Sequence, residues 1–490
     1  MDAQILVKPQ FSVLTMDQIE QVHDYSLKIL ATTGVEIDSP RALQIFSRSS
    51  GATVGEGHRV FLGRELVEWA IRATPTAVNV FNRRGDFAFR LGEDRARFGV
   101  GVTNLFFQDP ANDELSTFTR QHMALSVRLG DALPQYDVIS TIGIIQDYPP
   151  EKADLYAVLE MAANTTKPLV ILISNEKLFT NALDLLEALH GDLVTKPFVI
   201  PYFNPVTPLV FNEATTEKML ETIQRGLPLI FSNYGMAGMS TPITAAGTLA
   251  LLNAELLAGL VLTQLAREGT PVILGSLPAF FEMKTMEGFF DPHSILVNLA
   301  CAEMMAHYHI PHAGTSGSGA GWGPDLLASG MFWMNHLTSA MDKVGLVPFV
   351  GSTFGSKAFS PAVTVYVHDI IGMARRFAGG FPLDEAQIGL EEISAAGPGG
   401  NFLTAGLTLK HYRDAYYTST VIPRLTLERW EQLKHPKVDR YVREHAQRLM
   451  TEYRPPDDHD ELIGRGEEFI RKQRGDSRGS RRRHSKVAGG

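Results

Sequence analysis

PLIFSNYGMAGMSTPITAAGTLALLNAELLAGLVLTQLAREGTPVILGSL, residues 228–277, sets a long helix-like stretch between two short apolar runs. PLIFSNYG (228–235) and PVILGSL (271–277) have the length of buried strands, and GTLALLNAELLAGLVLTQLARE (247–268) has the length of a helix. A strand, a helix and a second strand in that order make a parallel unit with a right-handed crossover. The same alternation continues in both directions. Strand-like runs precede it at RFGVGVTNLF (97–106), DVISTIGII (137–145), LVILIS (169–174) and FVIPYFN (198–204), and follow it at IPHAGTS (310–316) and LVPFVGST (346–353). Helix-length stretches lie between them, such as KADLYAVLEMAAN and SILVNLACAEMMAHY, and PAVTVYVHDIIGMARRFAGG follows the eighth run. Eight such units in succession predict an α/β fold of the closed (β/α)8 TIM barrel type. An open doubly wound sheet would carry a glycine-rich phosphate fingerprint after its first strand, and VGVTNLFFQDP has none.

The barrel has flanks. TMDQIEQVHDYSLKILA (15–31) places Ile19, Val22, Leu27, Ile29 and Leu30 along one helical face, with Thr15 as its cap. RALQIFSRS and GRELVEWAIRAT predict two further helices before Pro75. The expected division is a helical N-terminal extension over 1–95, the barrel over 96–380, a C-terminal extension packing on it over 381–470, and a disordered basic tail over 471–490. A net charge of −9 argues against a nucleic-acid partner, and the sequence has no unbroken apolar run of about 18 residues to span a membrane. MDAQILVKPQFSVL lacks the pattern of a secretory signal, and the single Cys301 fits a reducing compartment, so a cytoplasmic location is expected.

In a barrel of this kind the chemistry sits at the C-terminal ends of the strands. That rule selects Asn104, Gln146, Asn175, Asn204, Asn233, Tyr234, Ser276, Thr315 and Thr353. It also selects three unusual loops: FFQDPANDELS (106–116), PAFFEMKTMEGFFDPHS (278–294) and GTSGSGAGWGPD (314–325). Aromatic residues crowd these ends: Phe106, Phe107, Phe203, Tyr234, Phe280, Phe281, Phe289, Phe290 and Trp322. Ring faces bind quaternary ammonium groups, which cannot donate a hydrogen bond. Packing is the default for most of these rings, and least so for Trp322 among its glycines. HYHIPH (307–312) offers histidines, but His307 and His309 precede the seventh strand and belong to the wrong face for a catalytic metal; none is expected. His312 lies in the strand itself. GPGGN (397–401) reads as a tight turn, Cys301 as a core residue, and Asp457, Asp458, His459 and Asp460 as a solvated turn.

Three segments carry a resemblance. MSTPITAAGTLALLNAELLAGLVLTQLAREGTPVILGS (239–276), LTMDQIEQVHDYSLKILATTGVEIDSP (14–40) and AAGPGGNFLTAGLTLKHYRDAYY (395–417) are similar to motifs of the trimethylamine methyltransferase family. The resemblance spans roughly residues 10–465 and implies a (β/α)8 barrel with helical additions. It also implies methyl transfer from a methylated amine to a corrinoid (cobalamin) carried by a cognate partner protein, with no cofactor bound permanently. In family members acting on trimethylamine, pyrrolysine stands in a pattern resembling T-D-[AS]-x-x-P-D-x-Q-A-G. Aligning Pro324 and Asp325 with its P-D puts Trp322 at the pyrrolysine position. Gly319 and Ala320 replace the Thr-Asp, Leu327 replaces the Gln, and Leu407-Thr408 replaces a family His-Thr. A quaternary ammonium needs positioning more than activation, because its nitrogen is already charged and leaves as a neutral amine.

The resulting expectation is a corrinoid-dependent methyltransferase for glycine betaine or a related quaternary amine. Trp322 and Asp325 are the expected catalytic residues. Trp322, Tyr234, Phe107, Asn104, Asn204, Asn233, Glu282 and His312 are the expected substrate-binding residues. The alternatives are trimethylamine demethylation without pyrrolysine and a non-catalytic betaine-binding relative. Association into a homo-oligomer is left open.

Overall fold

The structure, a computed structural model, describes residues 6–93, 95–314 and 319–484, with residues 474–484 described by their backbone alone. Seven parallel strands of one sheet occupy seven of the eight expected positions: Arg97–Val100, Val138–Ser140, Leu169–Ile171, Val199–Phe203, Leu229–Ala237, Val272–Glu282 and Leu346–Val350. The seventh position is held by His312 and Ala313, which bridge Leu274 on one side and Leu346 on the other. Leu346–Val350 pairs in turn with Arg97–Val100. The sheet is therefore a closed eight-position barrel, as its alternating sequence predicts. Each position is followed by a helix: Arg120–Ala132, Pro150–Asn164, Phe179–His190, Glu213–Arg225, Ala245–Ala266, Pro292–His307, Leu326–Met341 and Pro361–Gly379.

Strand alternation sorts the side chains. Val138, Val170, Ile200, Ile230, Ile273 and Leu346 point into the lumen as its lowest layer, while Phe98, Leu169, Phe231, Leu274 and Val347 face the helices. The fifth helix, Ala245–Ala266, is apolar on every side, and the contacts explain why. It is covered by its ring neighbours Glu213–Arg225 and Pro292–His307 and by all three N-terminal helices, Met16–Thr32, Pro40–Ser47 and Arg64–Ala73. Thr15 caps the first of these through a capping box with Gln18.

The N-terminal segment is not helical alone. It supplies Val35–Ile37, Ala52–Val54 and Arg59–Leu62 to a small four-stranded sheet, and it contains a hairpin, Val78–Phe81 with Phe87–Leu91. The inner residues of that hairpin, Val78, Val80, Phe89 and Leu91, pack on the lowest lumen layer and stopper the barrel at its N-terminal end. Downstream, helix Val438–Glu452 packs on the eighth and first barrel helices, and helix His459–His484 packs on the second and third. This last helix carries the backbone into the expected tail; residues 485–490 lie outside the described residues. Asp458 lies in a turn and is partly exposed, as expected, but it is not free. It receives both ends of the Arg83 guanidinium at 2.6 and 2.7 Å, with the Arg83 side chain 2% exposed, and so clasps the last helix to the N-terminal hairpin.

Candidate functional site

At the C-terminal end of the barrel the sixth strand overshoots the sheet. It continues to Glu282, turns, and returns as Glu287–Phe289 in an antiparallel hairpin that stands beside the mouth. The hairpin, the glycine-rich seventh loop and the loops after strands one and eight enclose a cleft of about 610 Å³. Phe106, Phe289, Phe290, Trp322 and Phe354 supply its aromatic walls, with Leu327 and Met331 alongside. Its charged groups are Glu282, Glu287 and Lys357, the last two paired across the cleft at 2.5 Å.

Trp322 stands where the sequence places it, at the mouth. The residue is 68% exposed and stands between this cleft and a second hollow lined by Tyr366, Lys437, Asp439 and Arg443. The glycines around it do not leave the loop loose at this point. Gln108 donates to the Trp322 carbonyl at 2.7 Å, and the Trp322 amide donates to Asp325 at 2.7 Å. Arg443 in turn holds Asp113, next along the first loop, through two contacts of 2.8 and 2.7 Å. The tryptophan is anchored through its backbone, and its ring is left free to meet a ligand.

Asp325 has another task. One carboxylate oxygen caps helix Leu326–Met341 by accepting from Ala328 at 2.8 Å, and the other holds Trp322. Both oxygens are engaged, so the geometry makes it a positioning residue and not a reacting one. Tyr234 does face the lumen, in register with Ile230 below it, and its hydroxyl lies 2.8 Å from where a Cβ on Gly288 would sit. A Cβ at 288 would crowd that phenol and the Met236 sulfur, so glycine gives the hairpin room to pass over them. Burial pushes the Tyr234 pKa up, so the phenol stays protonated. Glu282 lines the cleft as expected.

Other expected site residues point elsewhere. Phe107 is buried against the first barrel helix, stacked on His122 at 4.2 Å and edge-on to Phe118; Phe106, one residue earlier, is the ring that reaches the cleft. Asn233 faces outward between Phe231 and the fifth helix, where its amide donates to the Leu252 carbonyl and to Glu255, both at 2.9 Å. Ser276 donates to Asn233 at 2.6 Å and receives the Cys301 thiol at 3.4 Å, so these groups form a polar seam in the wall. His312 is fully buried beside Asn298 of the sixth helix, and desolvation pushes its pKa down to about 3. It belongs to that same outer layer and not to the lumen. Asn104 is buried and spends its amide on the Ile142 carbonyl at 2.7 Å, tying the first loop to the second. Asn204 is the exception: half-buried at the end of strand four, it shares the lumen face with Ile200 and Tyr202, its amide directed to the carbonyls of Ser232 and Phe203. Thr315 lies outside the described residues.

The sequence reading passed over Phe354, Lys357 and Gln108. FGSK (354–357) follows a strand whose loop is short, and nothing in its composition sets it apart. Gln108 could have been found from strand parity, since it shares a face with Phe106.

The fold and the mouth now have counterparts among known proteins. Residues 3–477 match the family described as trimethylamine methyltransferase (MTTB). The chain belongs to this family. Among its relatives, a glycine betaine methyltransferase of Desulfitobacterium hafniense is 28% identical over 472 residues, covering 94% of this chain and 97% of the relative. A trimethylamine methyltransferase, MttB, from another strain of that organism is 26% identical and covers 90% of this chain and 89% of its own. A crystal structure of the Methanosarcina barkeri monomethylamine methyltransferase superposes with a TM-score of 0.50 at 10% identity, over 90% of this chain and 88% of that one, which supports the barrel and nothing finer. Within the trimethylamine methyltransferase family this protein is a methyltransferase.

Proposed function

We propose that this enzyme takes a methyl group from a quaternary ammonium compound bearing a carboxylate, glycine betaine or a related betaine, and delivers it to a corrinoid carried by a separate protein. The observation that carries the reading is the composition of the mouth cleft: aromatic walls, carboxylates at its rim and one lysine. Phe106, Phe289, Phe290, Trp322 and Phe354 offer ring faces to a cation that needs no hydrogen-bond acceptor, and Glu282 adds negative charge. Lys357 answers the substrate carboxylate by exchanging its exposed partner Glu287 for it.

The chemistry asks little of acids and bases. The C–N bond breaks with its electron pair kept by nitrogen, so the amine leaves neutral and no proton has to be supplied. The corrinoid, when docked, supplies a cobalt(I) nucleophile. The protein's part is to hold one N-methyl group outward and to keep the docked partner aligned with it, and positioning of this kind is worth several powers of ten. Aromatic faces that hold the cation also stabilise the ground state, but their grip fades as the charge is consumed, which favours product release. A rim of exposed apolar side chains, Met239, Ile243, Met283, Met286 and Leu326, surrounds the mouth and suits the docking of a second protein.

The test is methyl transfer by purified protein to chemically reduced cobalamin, across glycine betaine, larger betaines, carnitine, choline and trimethylamine. Methylcobalamin formed with a betaine and not with choline supports both the ring cluster and Lys357. Activity with trimethylamine alone overturns the quaternary reading. Tight betaine binding with no transfer to free cobalamin or to any corrinoid protein encoded alongside it would mark a sensor.

A further inference from the structure

Open space flanks Trp322 on two sides: the cleft of about 610 Å³ and the second hollow of about 690 Å³. A ring so placed is oriented by the ties on its backbone more than by packing. One tie is Asp325. The other is Gln108, which is buried and whose single side-chain hydrogen bond among the described residues goes to the Trp322 carbonyl at 2.7 Å. Gln108 ends the strand Phe106–Gln108, which turns and returns antiparallel as Leu115–Thr117. The turn between them has little packing of its own, since residues 111–117 are all exposed. Asp109 gathers it by accepting the amides of Ala111 and Asp113 at 2.7 and 2.9 Å, and Asp113 stands in the left-handed region at φ 63°.

The pin that fixes this turn comes from outside the barrel. Arg443 of helix Val438–Glu452 donates to both Asp113 oxygens, at 2.8 and 2.7 Å, and reaches the Pro110 carbonyl at 3.3 Å. A forked guanidinium–carboxylate pair fixes direction as well as distance. The helix that carries Arg443 is itself firmly seated. Val442 and Ala446 are fully buried in its packing against the eighth and first barrel helices, and Tyr453, just past its end, donates to Asp131 at 2.7 Å. The seventh loop then crosses the pinned turn at Gly323. A Cβ there would lie 3.7 Å from an Asp113 oxygen, 3.9 Å from the Gln108 nitrogen and 4.0 Å from the Arg443 guanidinium. The C-terminal extension is thus linked to Trp322 through three side chains, Arg443, Asp113 and Gln108, that share one point of contact.

We propose that Arg443 is a positioning residue for the substrate: it fixes the first loop and, through Gln108, the backbone of Trp322, so that the C-terminal extension sets how tightly the mouth holds the methylated amine. The effect on substrate rests on the role given to Trp322 above; the relay itself does not. Full-length protein labelled with 5-fluorotryptophan carries four fluorinated rings, and the fluorine resonance missing from Trp322→Phe reports this one. With no substrate present, that resonance should shift or broaden in Arg443→Ala, Asp113→Ala and Gln108→Met, while those of Trp69 and Trp333 stay in place. In methyl transfer from glycine betaine to reduced cobalamin, Arg443→Ala should raise KM about five- to tenfold with kcat within about threefold of wild type. The double variant Arg443→Ala/Asp113→Ala should match either single variant, because both break the same link. Arg443→Lys, which can hold one Asp113 oxygen, should fall between Arg443→Ala and wild type. A Trp322 resonance unmoved in Arg443→Ala overturns the proposal, as do single-variant effects on KM that multiply in the double variant. So does a fall in kcat that follows the folded fraction while KM is unchanged, which a purely structural helix would give. A moved resonance in a protein that does not turn over glycine betaine supports the relay and counts against the substrate reading alone.

Discussion

Replacing Asp325 separates two roles that a sequence motif alone confounds. Its carboxylate caps helix Leu326–Met341 and holds the Trp322 amide, with contacts of 2.8 and 2.7 Å. A cap of this type contributes about 1 kcal/mol. The bond to the exposed Trp322 amide contributes about 1 kcal/mol net. Asp325→Asn keeps one acceptor for the cap and turns an NH2 group toward Trp322, so it should lose about 1 kcal/mol. Asp325→Ala loses both, about 2 kcal/mol in all. Since about 1.4 kcal/mol is a factor of ten, amide exchange over residues 322–328 should quicken about fivefold in the Asn variant and about thirtyfold in the Ala variant. Trp322 would then wander, and KM for a betaine should rise by about three- to tenfold while kcat stays within about threefold of wild type. Hydrogen exchange read by mass spectrometry, together with steady-state methyl transfer to cobalamin, tests the whole chain of reasoning. If Asp325→Asn lost kcat a hundredfold with exchange and KM unchanged, the carboxylate would have to act on the substrate, and the positioning argument would fall.

Phe106→Ala should weaken betaine binding by about 1 kcal/mol, roughly fivefold, because it removes one ring face from the cleft; calorimetry reads it. Phe107→Ala should instead cost about 3–5 kcal/mol of stability through the cavity left against His122, Phe118 and Phe359, and the folded fraction should bind as before. Glu255 is buried, and desolvation pushes its pKa up to about 7 against the opposing effect of donors from Leu209, Thr207 and Asn233. A carboxyl whose folded pKa is raised binds more protons when folded, so its contribution is complete below about pH 4.5 and is lost as pH rises to about 7. Wild type should therefore lose up to about 3 kcal/mol relative to Glu255→Gln between those limits, and urea midpoints that keep a constant gap at pH 5 and 7.5 would refute this. Asp458→Ala should cost about 3 kcal/mol by stranding the buried Arg83 guanidinium, and proteolysis should then release the last helix first.

The barrel was legible because its signal is long-range and repeated. Eight apolar runs and eight helix-length spacers leave few other topologies, and even the seventh position, reduced here to His312 and Ala313, could be counted from its neighbours. The site was legible at the level of loops and not of faces. Phe106 and Phe107 differ by one residue and Asn233 and Tyr234 by one residue, and in a strand that step exchanges lumen for helix layer. No periodicity in a four- to six-residue run fixes which parity points inward; the closed sheet does. The hairpin Val78–Leu91 was missed for a related reason. VNV and AFRL do alternate about the turn NRRGD, but each run is only three or four residues long and sits where three helices had already set the expected pattern.

That hairpin gives the barrel a single door. With Val78, Val80, Phe89 and Leu91 closing the far end, nothing can pass through the lumen from below. On the proposed reading, amine entry, amine exit and the arrival of a protein-borne methyl acceptor would share one opening, and a docked acceptor would stand in it. The proposed function then predicts a compulsory order: the substrate enters an undocked barrel, and the demethylated product leaves only after the acceptor has lifted away. Its kinetic signature is an acceptor protein that speeds the reaction when scarce and slows it when abundant, by occupying the doorway ahead of the substrate.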